Sequence, residues 1–417
     1  MFIDKITLRN FKGFENYPVE FKDRFTIIVG NNGLGKTSIL DALAIAASVY
    51  FIPFGCKKAQ RTINKRDVRV VSSGDSFEPQ LPCVIEASRG NMTWSRSIET
   101  QKFTNLLGKN NQLVTLAREE FNRVSSNETV NLPVFAYHGT GRLWAEYSEH
   151  VDYTKQGSRT EGWDFCLSAK SSSKAFRSWY KTLEKNADKK NEEIRERLRL
   201  FREAIISCVE DWDDFYYDFA ENDIIGISKK GGNTTSLPYS MMSDGYRNMI
   251  GMVADIAYRC IRLNPHLGSN AIKETEGLVL IDEIDLHLHP TWQRKVVKEL
   301  SLAFPKIQFV VTSHSPFILQ SATANQVVDL AKRPLNDDPR NVSLELNARY
   351  MGVESVNGVH FSEKEKAAEQ FFKSLQQEPL DKEAIEAQFR KLSIEYSNDP
   401  AYVALLKLEK VAQVPNQ

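Results

Sequence analysis

Eight residues, Gly30-Asn31-Asn32-Gly33-Leu34-Gly35-Lys36-Thr37, fit the spacing G-x-x-x-x-G-K-[ST]. Glycines at these places let successive backbone N–H groups curl into a nest for anionic oxygens. Lys36 is placed to reach the β- and γ-phosphates of a nucleotide, and Thr37 offers a hydroxyl to Mg²⁺. A second constellation is Asp282-Glu283, directly after the apolar run Gly277-Leu278-Val279-Leu280-Ile281. An unpaired charge at the end of a buried strand is costly, so the pair is read as chemical. Asp282 would hold Mg²⁺ opposite Thr37, and Glu283 would act on the attacking water as general base. His314, in Val310-Val311-Thr312-Ser313-His314, ends another apolar run. It is read as a group beside the γ-phosphate, the alternative being an ordinary satisfied side chain.

Ser243-Asp244-Gly245 precedes a long helical pattern, with Ser243 as N-cap. A helix start is compatible with an anion site, because its N–H groups are free to meet phosphate. His287 and His289 form an H-x-H with no cysteine nearby, and are read as a loop bordering the nucleotide rather than a zinc site.

These groups need elements to hold them. Residues 24–29 before the loop read as a buried strand, and residues 37–46 after it as a helix whose positive dipole end faces the phosphates. Gly277–Ile281 and Ile307–Val311 read as parallel-type strands, and Pro290–Phe304 as one amphipathic helix between them. Strand–helix–strand order indicates a mostly parallel α/β core. Upstream, Ile3–Leu8 and Val19–Phe21 read as strands around Leu8-Arg9-Asn10-Phe11-Lys12-Gly13-Phe14. That stretch is either a turn between edge strands or a place where Arg9 or Lys12 comes near the nucleotide. Hairpins are expected at 81–98 and 224–237. Ile194, Leu198, Phe201, Ile205 and Val209 make one helix face within a helical insertion. Near the end, Ser362-x-x-Glu365 reads as a capping box, Asp381 opens a second helix, and Asp399-Pro400 opens a third.

The 417 residues carry 54 basic and 54 acidic side chains, so no polyanionic partner is demanded. Residues 55–80 are locally basic, read as a solvated loop with a nucleic-acid or partner contact as the alternative. Five scattered cysteines argue for free thiols in a reducing, cytoplasmic setting. No signal-type segment or apolar run long enough to span a membrane is present.

The motifs in this order resemble the ATP-binding-cassette ATPases of the RecF and SMC type, closely over about residues 1–60 and 235–330. Gly30–Ser38 matches Walker A, Ser243-Asp244-Gly245 the signature motif, Leu278–Glu283 Walker B, Asp285 the D-loop and His314 the switch histidine. The resemblance implies an α/β fold: an ABC-ATPase head, a P-loop NTPase with a mostly parallel core sheet, an antiparallel β-subdomain, an inserted helical lobe and a C-terminal helical appendage. The expected division is 1–145, 146–222, 223–345 and 346–417. Gly30, Asn31, Asn32, Gly33, Leu34, Gly35, Lys36, Thr37 and Ser38 would cradle ATP, with Arg9 and Lys12 as further contacts. Thr37 and Asp282 would hold Mg²⁺; Lys36, Glu283 and His314 would serve catalysis. Ser243 and Gly245 would come from a second head, giving a homodimer or higher oligomer. Gln308 does not stand where the family's Q-loop glutamine is expected.

Within that class, residues 137–144 and 282–290 are similar to the ATPases of Septu and retron anti-phage systems, once described as predicted ATP-binding proteins involved in virulence. Such ATPases work beside a separate HNH nuclease, with DNA, msDNA or tRNA as candidate nucleic acids. The alternatives are a repair ATPase that binds DNA itself and a scaffold in which ATP is structural.

Overall fold

The mainly apolar residues Phe25–Val29 form β3, and all are buried. A strand covered on both faces favours parallel neighbours flanked by helices. In the computed structural model it lies between β14 (Ile307–Thr312) and β15 (Val327–Asp329). Beyond β14 come β13 (Gly277–Ile281) and β9 (Val134–His138). The order is β15-β3-β14-β13-β9, and every pairing is parallel. The segments leaving β3, β14 and β13 therefore emerge side by side at one edge, the usual place for a ligand in such sheets. The structure describes residues 2–74, 76–142, 158–169, 174–187, 192–209, 211–230, 233–333, 337–352, 359–376 and 382–413.

Helix α1 (Lys36–Ala47) is apolar nearly all round because it is covered on two sides. It packs on the parallel sheet and on a second, antiparallel sheet. That sheet contains β1 (Lys5–Phe11), β2 (Phe14–Glu20), β6 (Cys83–Arg89), β7 (Met92–Ile98) and β8 (Asn105–Leu107), ordered β2-β1-β6-β7-β8. The indole of Trp94 on β7 donates to the carbonyl of Ala46, 3.1 Å away, fastening helix to sheet. The stretch expected as a turn at residues 8–14 is mostly strand. β1 runs on to Phe11, and the reversal is a tight one in which Lys12 takes φ 48°. A separate hairpin pairs β4 (Val70–Ser73) with β5 (Ser76–Pro79). Helix α2 (Gln112–Ser125) packs on β7.

Helices α3 (Lys174–Ala187) and α4 (Glu192–Cys208) lie against α5 (Asp244–Leu263). The predicted α4 face is buried at Leu198, Phe201 and Ile205, with Val209 just beyond the helix buried as well. Trp179 meets Tyr258 at 5.1 Å, so the insertion shares one continuous core with the sheet. A three-stranded antiparallel sheet follows it: β10 (Asp214–Asp218), β11 (Asp223–Lys230) and β12 (Asn233–Pro238). Residues 231 and 232, within the hairpin expected at 224–237, lie outside the described residues. Short helices complete this part: α6 (Ala271–Glu274), α7 (Pro290–Gln293), α8 (Val296–Ala303), α9 (Pro316–Gln320) and α10 (Leu344–Tyr350). The single helix expected over 290–304 is broken into α7 and α8. The Lys295 N–H turns to the Trp292 carbonyl three residues back, which tightens the turn and ends α7.

Gln308 has a structural use. Its side-chain amide accepts from Ile3 N and donates to Ile3 O, both at 2.8 Å, so it pairs with the chain as a strand would.

Met1–Gly352 forms one unit and Val353–Gln417 another. The second unit holds α11 (Val359–Leu375), α12 (Lys382–Glu395) and α13 (Pro400–Gln413) around Phe371, Leu375, Ile385, Leu392 and Leu406. Asp399 caps α13 through the Tyr402 N–H at 3.0 Å, with Pro400 at the first position. Ser362 is not a cap: α11 begins three residues earlier, at Val359. Asp381 lies outside the described residues. Among the described residues no helix is long and apolar enough to cross a membrane.

Candidate nucleotide site

The loop between β3 and α1 turns through Gly33 and Gly35, at φ 83° and 92°. A side chain at Gly35 would be strained in that backbone and would also strike the Phe14 ring, 2.6 Å from an ideal Cβ. Phe14 is thus part of the cradle. The Lys36 ammonium is folded into the loop, donating to the carbonyls of Gly30 at 2.8 Å and Asn31 at 3.3 Å. Burial draws its pKa below the usual lysine value, opposed by the fields of Asp282, Glu283 and Asp285. Asn31, Asn32, Gly33 and Leu34 form the exposed rim; Gly35 and Ser38 are half-buried.

Side by side with the loop, β13 delivers Asp282. Its carboxylate accepts from Thr37 Oγ1 at 2.9 and 3.2 Å and from Thr312 Oγ1 at 2.7 Å. Among the described residues no cation is ion-paired to it. A carboxylate and a hydroxyl converging at the foot of a phosphate loop are hard oxygen donors that fit Mg²⁺. Glu283 has φ 49°, left-handed for a residue with a side chain, and its N–H donates to Thr312 Oγ1 at 2.8 Å. His314 follows β14, exposed, with its N–H 3.3 Å from Asp285 Oδ1; Ser313 Oγ donates to the same oxygen at 2.6 Å. Lys36, Thr37, Asp282, Glu283 and His314 are thereby carried to one edge by three neighbouring strands.

Lys12 and Arg9 are placed differently. The Lys12 ammonium pairs with Asp41 on α1 and stands 3.9 Å from Asp67. Arg61 and the Tyr137 hydroxyl reach Asp41 too, at 2.6 and 3.2 Å. Arg9 is exposed within β1, across from Asn16 and Val84.

Ser243 and Gly245 belong to a different cluster. Ser243 is the N-cap residue of α5, exposed, and its side chain makes no cap bond. Gly245 is needed by a close approach: an ideal Cβ there would lie 2.6 Å from the carbonyl of His287. Tyr246 and Trp292 meet edge to face at 4.6 Å beside it. Together with Asp211, His289 and Thr291 these residues line a cleft of about 470 Å³. His289 caps α7, accepting from Thr291 N at 3.3 Å. Among the described residues no His, Cys, Asp and Glu side chains gather as a metal cluster.

The sequence reading did not single out Thr312, Phe14, Asn248 or Arg142. Thr312 was visible only as the last β-branched residue of its strand, and Arg142 only as one residue of the stretch 137–144 that carries the resemblance to the Septu and retron ATPases.

Residues 5–208 match the AAA domain family, and residues 167–320 match the family described as AAA domain, putative AbiEii toxin, Type IV TA system. The Retron Vc95 probable ATPase of Vibrio cholerae serotype O1 biovar El Tor is 27% identical over 382 residues, covering 77% of this chain and 72% of that protein. The Septu protein PtuA of Bacillus mycoides (strain KBAB4) is 26% identical over 335 residues. That match covers 79% of this chain but only 40% of PtuA. A crystal structure of an SmcHead bound to the C-winged helix domain of ScpA aligns with 79% of this chain and 94% of its own, at 15% identity and a TM-score of 0.48. Parts of this α/β chain thus match AAA-domain families, and the chain resembles the retron probable ATPases and the Septu protein PtuA.

Proposed function

We propose that this protein is the ATP-binding and ATP-hydrolysing subunit of an anti-phage defence complex. The observation that carries the reading is the junction of Thr37, Asp282 and Thr312 at the foot of the phosphate loop. N–H groups of the loop and of the α1 N-terminus would hold the phosphates, with Lys36 leaving its carbonyl partners for the β- and γ-oxygens. Mg²⁺ held by Thr37 and Asp282 would supply Lewis-acid charge to those oxygens. Glu283 would accept the proton of the attacking water as its oxygen bonds to the γ-phosphorus and the bridging P–O bond to ADP breaks. His314 would orient that water.

The second half of the site would be Ser243 and Gly245 of another copy. What supports this is that Ser243 is exposed, without a cap bond, and grouped with His287 rather than with Lys36. ATP would then hold two heads together and control a separate nuclease of HNH type; the likeness to the Septu protein PtuA and to the retron ATPases supports a defence setting for this. Direct gripping of DNA by residues 55–80 has less support. Lys58, Arg61 and Arg69 there are engaged by Asp164, Asp41 and Glu15 within the chain.

The test is phosphate release by the purified chain with and without Mg²⁺. Glu283→Gln should keep ATP and lose turnover by about 100-fold or more; Lys36→Ala should lose ATP binding. Unchanged turnover in both variants would sink the assignment.

A further inference from the structure

Arg142 is 8% exposed, yet among the described residues it has no carboxylate partner. Its guanidinium is spent on backbone and amide oxygens. Nη1 donates to Gly139 O at 3.0 Å and Asp282 O at 2.7 Å, Nη2 to Glu283 O at 2.9 Å, and Nε to Asn248 Oδ1. Burying a cation against neutral acceptors is expensive unless the geometry itself is useful. Burial pulls its pKa down to about 10, with the fields of Asp282, Asp285 and Glu283 working the other way, so it stays charged near neutral pH.

The geometry is specific. The carbonyls of Asp282 and Glu283 belong to the two peptide planes on either side of the Glu283 Cα. Fixing both planes fixes φ and ψ of Glu283. The opposite edges of the same planes are held by Thr312: Glu283 N donates to its hydroxyl at 2.8 Å and Ile284 N to its carbonyl at 3.0 Å. The left-handed conformation of Glu283 costs roughly 1–3 kcal/mol and persists only when its surroundings over-determine it. Arg142 and Thr312 are those surroundings. The planar fork of an arginine spans two carbonyls; a lysine ammonium does not have that shape.

The fourth contact leads elsewhere. Asn248 is buried in the second turn of α5, and its Nδ2 donates to Leu286 O at 2.8 Å. One amide thus joins Arg142, the helix that begins at Ser243, and the segment following Glu283.

We propose that Arg142 is the positioning residue for hydrolysis, clamping the Glu283 backbone and, through Asn248, making its placement depend on how α5 is seated. Seating of α5 against a second copy would then license hydrolysis at the first copy's own nucleotide. This rests on the reading of Glu283 as the group that activates water.

The experiment measures ATP affinity, turnover and its dependence on chain concentration for wild type, Glu283→Gln, Arg142→Ala, Arg142→Lys and Asn248→Ser. Arg142→Ala should lose turnover by about 100-fold, the scale of a misplaced catalytic group, while ATP affinity changes by less than about threefold. Arg142→Lys should behave like Arg142→Ala. Added guanidinium should restore part of the Arg142→Ala rate, saturably, and do nothing for Glu283→Gln. Asn248→Ser should keep ATP affinity and blunt the rise of specific turnover with chain concentration. If Arg142→Ala fails to fold, Arg142→Lys and Asn248→Ser carry the test. Wild-type turnover in the Arg142 variants, or loss of ATP affinity in parallel with turnover and no guanidinium rescue, would overturn the clamp while Glu283→Gln still supports the site. A wild-type chain without turnover, or a Glu283→Gln chain with normal turnover, would overturn both.

Discussion

Two acidic side chains lie within reach of α1, and the protein treats them in opposite ways. Asp41, one turn past Thr37, is met by two cations, Lys12 and Arg61, and by the Tyr137 hydroxyl. Asp282, on the other side of Thr37, is met by hydroxyls alone. The first carboxylate is fully answered within the chain and ties the antiparallel sheet, the basic stretch and β9 to the helix. The second is ion-paired to no cation among the described residues, and at the edge where the phosphate loop opens only the fields of Lys36 and Arg142 reach it. Buried acids are normally paired or coordinate metals, so the difference separates a structural acid from one held ready for a ligand.

The largest effect should come from removing the charge that no cation pairs. Asp282→Asn keeps an oxygen for Thr37 and Thr312, so folding should be little changed, while Mg²⁺-dependent phosphate release falls by about 100-fold or more. A variant that still hydrolyses ATP normally would erase the contrast. The mirror substitution, Asp41→Asn, should leave the nucleotide chemistry per folded molecule within a few fold and act on stability. Lys12 and Arg61 keep partial solvent access. The loss is therefore below the full cost of breaking a buried pair, about 2 kcal/mol, read as a lower urea midpoint with unchanged slope.

A third buried acid sharpens the rule. Asp255 is already answered by Arg259 Nε at 2.9 Å, and His138 Nε2 stands 3.6 Å from it. The acid does not need the imidazole's charge, and burial pushes the His138 pKa down to about 4. The unfolded chain then binds a proton that the folded one refuses between about pH 6.5 and 4. Stability from this group should therefore fall as pH drops through that window, by roughly 1 kcal/mol per pH unit. His138→Gln should flatten that slope in urea unfolding followed across pH; an unchanged slope would mean that His138 takes up its proton as readily in the fold as in the unfolded chain.

What could be read beforehand follows the same division between local and distant. Gly277–Ile281 is an unbroken apolar run that stops at an acid, and Phe25–Val29 and Ile307–Thr312 are mainly apolar, broken only by Thr26, Gln308 and Thr312, so pattern alone locates them. The cradle glycines and Lys36 are neighbours in sequence. Helix α2 was not visible because its buried face is thin, Leu113 and Ala117. The break at Lys295 depends on one carbonyl choosing a partner three residues on. The partners of Lys12, Thr312 and Arg142 are tens to hundreds of residues away, and no spacing rule links Arg142 to Glu283. Residue type announced that Lys12 could meet an anion; only the fold says that the anion it meets is Asp41.

The strand order has a consequence for how this protein is made. β3 leaves the ribosome before its lateral neighbours, β14 and β15, which lie some 280 residues further on. The Ile3–Gln308 pairing spans a similar gap. During synthesis the phosphate loop therefore exists for tens of seconds on a strand with no partner on either side. Such long-range parallel pairing is slow to form and exposes apolar surface while it waits. An unfinished chain has the motif without the strands that set its shape, so abandoned nascent fragments would not hold nucleotide through it. The loop acquires its shape only when the strands on both sides of β3 have been delivered.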